Sequence, residues 1–169
     1  VGIGDYDELM RRIEKVPDVE ACAPLVDCPF ALIRCGQQTW FGKLRGIDPE
    51  REARTSDIEA YVARLGTEVE EASKKLEAIQ SDPNPGLAFR KSGLDWGRFQ
   101  AAQPLVKERL DFLYNGGRAP LHPGAIVGIE LARRFGGLRP GNKLSITSPT
   151  TLLTFQTKDF DVVGGFYCG

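Results

Sequence analysis

Histidine occurs once in this 169-residue chain, as His122, and methionine once, as Met10. A lone imidazole excludes a His-rich metal site and leaves a single residue for histidine acid–base chemistry. An excess of either charge is also missing: 22 Lys+Arg stand against 23 Asp+Glu, a formal net charge of -1. That balance excludes the basic surplus of a general nucleic-acid binder or of a polybasic membrane-surface module. No apolar run approaches the roughly 18 residues that a spanning helix needs, and no basic-then-apolar leader opens the chain. The four cysteines, Cys22, Cys28, Cys35 and Cys168, contain no C-x-x-C pair, so the usual zinc spacing is absent. Buried thiols, one disulfide or two stay open as alternatives. The 19 glycines form neither G-x-G-x-x-G nor G-x-x-x-x-G-K-[ST], so no phosphate-cradling loop is written into the chain.

What is there reads as an ordered domain. Hydrophobic residues make up 41% and charged residues 27%, which fits neither a disordered chain nor a membrane bundle. A chain of this length buries roughly 70% of its unfolded surface and needs no metal or disulfide to fold. It begins at Val1 and closes on a strand-like segment, Phe160 to Gly169, as expected of a domain cut from a longer protein.

Periodicity divides the chain in three. Residues 5–16 place Leu9, Ile13 and Val16 on one helical face, with Asp5 as N-cap, Glu8 as its capping-box partner and Pro17 as the stop. Val19–Val26, Phe30–Arg34 and Thr39–Ile47 read as strands, the last two joined as a hairpin through Cys35–Gln38. From Glu50 to about Arg118 the pattern is helical. Ser56 and Glu59 form a capping box ahead of Ile58, Tyr61, Val62, Leu65, Val69, Ala72, Leu76 and Ile79, and Glu70/Lys74 and Glu71/Lys75 are i,i+4 pairs. A second helix is expected from Pro104 to Gly116, after a loop at residues 81–86. Strands then return at Ala125–Val127, Lys143–Thr147, Thr151–Gln156 and Phe160–Phe166, with a short helix at Ile129–Phe135. The expected fold is α+β: a mixed sheet with helices on one face, built from residues 1–49 and 124–169, plus an inserted, mainly helical subdomain at 50–123.

Candidate chemistry is sparse. A Cys–His nucleophile would need His122 beside one of the four thiols, whereas its place between Pro120 and Pro123 suits an exposed loop. Asp5, Asp7 and Glu8, and likewise Glu70 and Glu71, sit where caps and solvated helix faces belong, not where an acid/base pair would. Trp40 and Trp96 are candidate interface anchors, with core packing as the plainer alternative. The 50–118 stretch has 12 acidic and 11 basic residues and the remainder 11 of each, so neither part is a charged patch by composition. No catalytic, cofactor or metal residue emerges.

Four phrases in order carry a resemblance: DYDELMRRIEKVPDVEACAP from Asp5 to Pro24, RGIDP from Arg45 to Pro49, GAIVGIELA from Gly124 to Ala132 with LRPGNKL from Leu138 to Leu144, and DVVGGFY from Asp161 to Tyr167. Together they resemble the MacB-like periplasmic core domain of ABC-transporter permeases of the MacB, LolC/LolE and FtsX type. The likeness covers about residues 5–49 and 124–169 and leaves the insertion unmatched. Gly141-Asn142 departs from the Gly-Asp more usual in that family. The resemblance implies a porter-like unit on the extracytoplasmic (periplasmic) face of the inner membrane, between two transmembrane helices of a permease. It implies no catalytic residues and no cofactor in this domain. It also implies an ABC ATPase subunit or domain as working partner, a possible periplasmic partner protein or lipoprotein, and a dimeric full-length permease. Coupling of ATP hydrolysis to substrate export or lipoprotein release is the expected role, with a stand-alone interaction module or a Cys/His hydrolase as alternatives.

Overall fold

The computed structural model describes residues 6–110, 122–149 and 154–167. Its fold is α+β, with a five-stranded mixed sheet in the order β2-β1-β4-β5-β3. The strands are β1 (Leu25–Cys35), β2 (Gln38–Ile47), β3 (Gly124–Gly128), β4 (Lys143–Pro149) and β5 (Phe155–Phe166). Strand β1 pairs antiparallel with both β2 and β4, β4 antiparallel with β5, and β3 parallel with β5. Leu32↔Thr147, Ile33↔Ile146 and Arg34↔Ser145 form the seam that joins the N-terminal hairpin to the C-terminal strands.

Period-two alternation sorts the sheet's faces. Ala31, Ile33, Leu144, Ile146 and Val162 are buried on one side. Leu32, Arg34, Ser145 and Thr147, which alternate with them, point to the other. The helices are α1 (Tyr6–Ile13), α2 (Pro49–Thr55), α3 (Ile58–Gln80), α4 (Pro85–Ser92), α5 (Trp96–Leu110) and α6 (Ile129–Arg134). Leu65 and Val69 of α3, Phe99, Ala102 and Leu105 of α5, and Ile129 and Ala132 of α6 share one buried cluster with the sheet residues. Thus α2–α5 occupy the stretch between β2 and β3, and α3 and α5 lie on the sheet itself. Gly165 of β5 makes that close approach possible: a Cβ there would stand 2.8 Å from Leu105 Cδ1 and 3.0 Å from Leu65 Cδ2.

Several local expectations are corrected. Residues 19–24 are not strand; the first strand starts at Leu25 and runs through Cys28 and Phe30 to Cys35, with a bulge between Cys28 and Ala31 that accommodates Pro29. The Cys35–Gln38 hairpin is present, and Gly36 takes φ +57°, the left-handed conformation that a primed hairpin turn gives to glycine. Ser56 does not open a helix. Its amide and hydroxyl both donate to the Glu52 carbonyl and close α2, while Asp48 caps the start of α2 by accepting from the Glu50 and Arg51 amides. Pro104 lies inside α5 rather than at its start. The helix opens eight residues earlier, at Trp96, behind Asp95, which accepts from the Arg98 amide, and the buried Ala101, Ala102 and Leu105 hold it helical through the proline. A further short helix, α4, opens with Pro85 in its first turn behind the Asn84 cap. The two strands expected at Thr151–Gln156 and Phe160–Phe166 meet in one, β5, which begins at Phe155. The Asp5 cap, the Gly116 stop and residues 151–153 lie outside the described residues.

Candidate functional site

The cysteines and the histidine are not gathered into one place by any hydrogen bond among the described residues. Cys22 Sγ donates to the Met10 carbonyl at 3.7 Å and Cys28 Sγ to the Phe30 carbonyl at 3.5 Å. Cys22, Cys28 and Cys35 are free thiols, and Cys168 lies outside the described residues. Burial pushes the Cys35 thiol up from its ordinary value of 9.0, the opposite of what activates a nucleophile. His122 is half-buried rather than fully exposed; its backbone amide donates to Asp161 Oδ2 at 3.1 Å. Among the described residues no cluster of three or more His, Cys, Asp or Glu side chains could hold a metal ion, and no helix is long and apolar enough to cross a membrane.

The carboxylates take structural places. Glu70 binds Lys74 at 2.7 Å, and that lysine holds the carboxyl below its ordinary range. Glu8 lies 3.6 Å from Arg11. Asp159 binds Lys143 Nζ at 2.6 Å and accepts from Ser145 Oγ at 2.6 Å on the sheet face opposite α3 and α5, which lowers its pKa from 3.8.

Two features stand out instead. The first is a cleft of about 350 Å³ between α3 and α5, near the small end of small-molecule sites. Its floor is apolar: Leu65, Val69, Phe99, Ala102 and Ile129 line it. Each faces the cleft because it recurs at helical spacing on α3 or α5, or opens α6. Its rim carries charge. Glu68 is drawn to Arg64 at 3.6 Å and Asp95 to Arg133 at 3.3 Å, and Glu71 and Lys75 complete the edge.

Arg98 is a rim cation held by aromatic stacking. Its guanidinium lies over the Tyr167 ring at 4.1 Å, with Arg64 over the same ring at 4.7 Å. Its Nε is buried and has no hydrogen-bond partner among the described residues. An unpaired buried donor costs about 1–3 kcal/mol, and a cation–π stack contributes about 0.5–2 kcal/mol in the opposite direction. Tyr167 is itself anchored, its amide donating to the Tyr61 carbonyl at 3.4 Å. Trp96, on the first turn of α5, packs against Phe99 with ring centroids 5.7 Å apart.

The second feature is apolar surface on the sheet face opposite α3 and α5. Phe30, Phe41 and Phe155 are 75%, 72% and 71% exposed. Phe41 stands opposite the half-buried Leu32, and Phe155 opposite Pro149. Trp40 lies on the opposite face of β2, where Arg134 reaches to 5.5 Å from its ring. Both tryptophans are therefore half-exposed rim residues of helix–sheet and helix–helix contacts rather than core.

Sequence reasoning did not find the cleft, because Arg98 and Tyr167 are 69 positions apart in a chain with no motif linking them. The one local signal was Asp95, a cap residue ahead of an aromatic and an arginine. No family model matches the chain, and no curated protein matches it.

Proposed function

We propose that this chain is a non-catalytic, extracytoplasmic domain of an ABC-transporter permease, acting through shape and contact rather than chemistry. The observation that supports this reading most is the β1–β4 seam. Residues from both ends of the chain share one sheet, with Leu32 opposite Thr147, while the helical segment enters between β2 and β3. A unit whose two ends meet in one sheet can receive motion at both ends and pass it on as a rigid body. The four phrases that resemble the MacB-like core domain fall on this framework: the first spans α1 to the approach to β1, the second ends β2, the third runs β3–α6–β4 and the last ends β5. The separation of His122 from hydrogen bonding with any described thiol, and the raised Cys35 pKa, favour this reading over a Cys/His hydrolase.

The natural full-length product tests it. Solubilised in detergent, it should carry an ATP-binding cassette or co-purify with a subunit that has one. A product with no membrane span and no such partner would leave the stand-alone interaction module, which the exposed Phe30, Phe41 and Phe155 favour.

A further inference from the structure

We propose that the α3–α5 cleft binds a small amphipathic monocarboxylate, with its apolar body on the floor and its carboxylate on Arg98. The proposal rests on the cleft alone and is independent of the permease reading.

The floor supplies the apolar half of the match. Val69, Phe99, Ala102 and Ile129 line the cleft as side chains already nearly shielded from water, so a ligand there would meet hydrocarbon and gain mainly packing contact. The rim supplies the polar half. Five charged side chains line it, namely Glu68, Glu71, Lys75, Asp95 and Arg98. Glu68 and Asp95 are each answered by an arginine, Arg64 and Arg133, whereas Glu71 and Lys75, one helical turn apart on α3, form no ion pair within 4.0 Å among the described residues. Arg98 has no carboxylate within 4.0 Å among the described residues, and no side-chain acceptor. It is thus a rim cation without an ion pair, and unlike Lys75 it is stacked on an aromatic ring and has a buried, unpartnered Nε. The Tyr167 ring lies 4.1 Å from the guanidinium carbon, a stacking contact that limits the freedom lost when a carboxylate is bound. A guanidinium presents paired N–H donors at the spacing of two carboxylate oxygens. The ligand class follows: one carboxylate, one short apolar body.

Octanoate is the probe, with octanol and octylamine as the neutral and cationic counterparts. Trp96 reports occupancy, since it packs on Phe99 of the floor, and a Trp40→Phe background removes the other indole. Octanoate should change Trp96 emission saturably and bind about tenfold or more tighter than octanol, as a charge-assisted hydrogen bond implies. Arg98→Met should reduce octanoate to the affinity of octanol and leave octanol itself unchanged. Unchanged octanol binding then shows that the cleft has kept its shape. Arg98→Lys should fall between the two. Equal binding of octanoate and octanol, preference for octylamine, octanoate binding indifferent to Arg98→Met, or no saturable binding of any probe would each overturn the proposal.

Discussion

Leu32 of β1 stands opposite Thr147 of β4, and this pairing ties the first third of the chain to its last. Both side chains lie on the face opposite α3 and α5, one position from the buried Ile33 and Ile146. Directly opposed residues of antiparallel strands have Cα atoms about 4.5–5.5 Å apart, inside the span that a disulfide bridges. A Leu32→Cys/Thr147→Cys protein, with the native cysteines replaced by serine, should therefore form an intramolecular bridge on mild oxidation. Non-reducing electrophoresis and a free-thiol count would show it; a product that stays fully reduced would mean that the two ends do not share this register.

The contact of helices and sheet at Gly165 predicts non-additive energetics. Leu105→Ala removes a side chain that is 1% exposed and should cost about 2–5 kcal/mol. Gly165→Ala drives a methyl against Leu105 and Leu65 and should cost about 1–3 kcal/mol. In the double variant the new methyl enters the space vacated by Leu105, so the loss should be smaller than the sum of the two. Urea unfolding of the four proteins measures this, and strict additivity would place α5 elsewhere.

Asp48 offers a local test of α2. Asp48→Ala removes the acceptor for two amides and should lower stability by about 1 kcal/mol, while Asp48→Asn should recover most of it. Equal loss in both variants would show that the negative charge, through Arg51 at 3.8 Å, matters more than the cap.

Asp159 predicts the pH dependence of the sheet's polar face. Hydrogen bonds from Lys143 and Ser145 lower its pKa from 3.8, so the folded state holds the carboxylate more strongly than the unfolded state. The resulting stability is present above the unfolded pKa and is lost as pH falls below it, through the folded pKa. Asp159→Asn should flatten this acid limb and leave the neutral-to-alkaline limb unchanged. Denaturant midpoints at a series of pH values would reveal it, and an unchanged acid limb would remove Asp159 from the account.

The α+β class and the mixed sheet were legible in the sequence because alternating and helical periodicities are recorded residue by residue, as in Ala31/Ile33 and Leu65/Val69. Boundaries were less so. Ser56 carries the signature of a helix start, yet it lies between two helices and its donors turn backwards to Glu52. Pro104 reads as a first-turn residue, and only the burial of Ala101, Ala102 and Leu105 against partners distant in sequence reverses that reading. The cleft was illegible for the same reason: its defining relationship, Arg98 on Tyr167, exists only after β5 has been laid beside α3 and α5.

The central claim is tested most directly by the membrane sidedness of the natural gene product. Intact spheroplasts are treated with protease from outside, and this chain is followed with an antibody raised against it. The account predicts that the chain fractionates with the inner membrane and is cleaved by the external protease without lysis. Recovery in a soluble fraction, or protection until the spheroplasts are lysed, would contradict it.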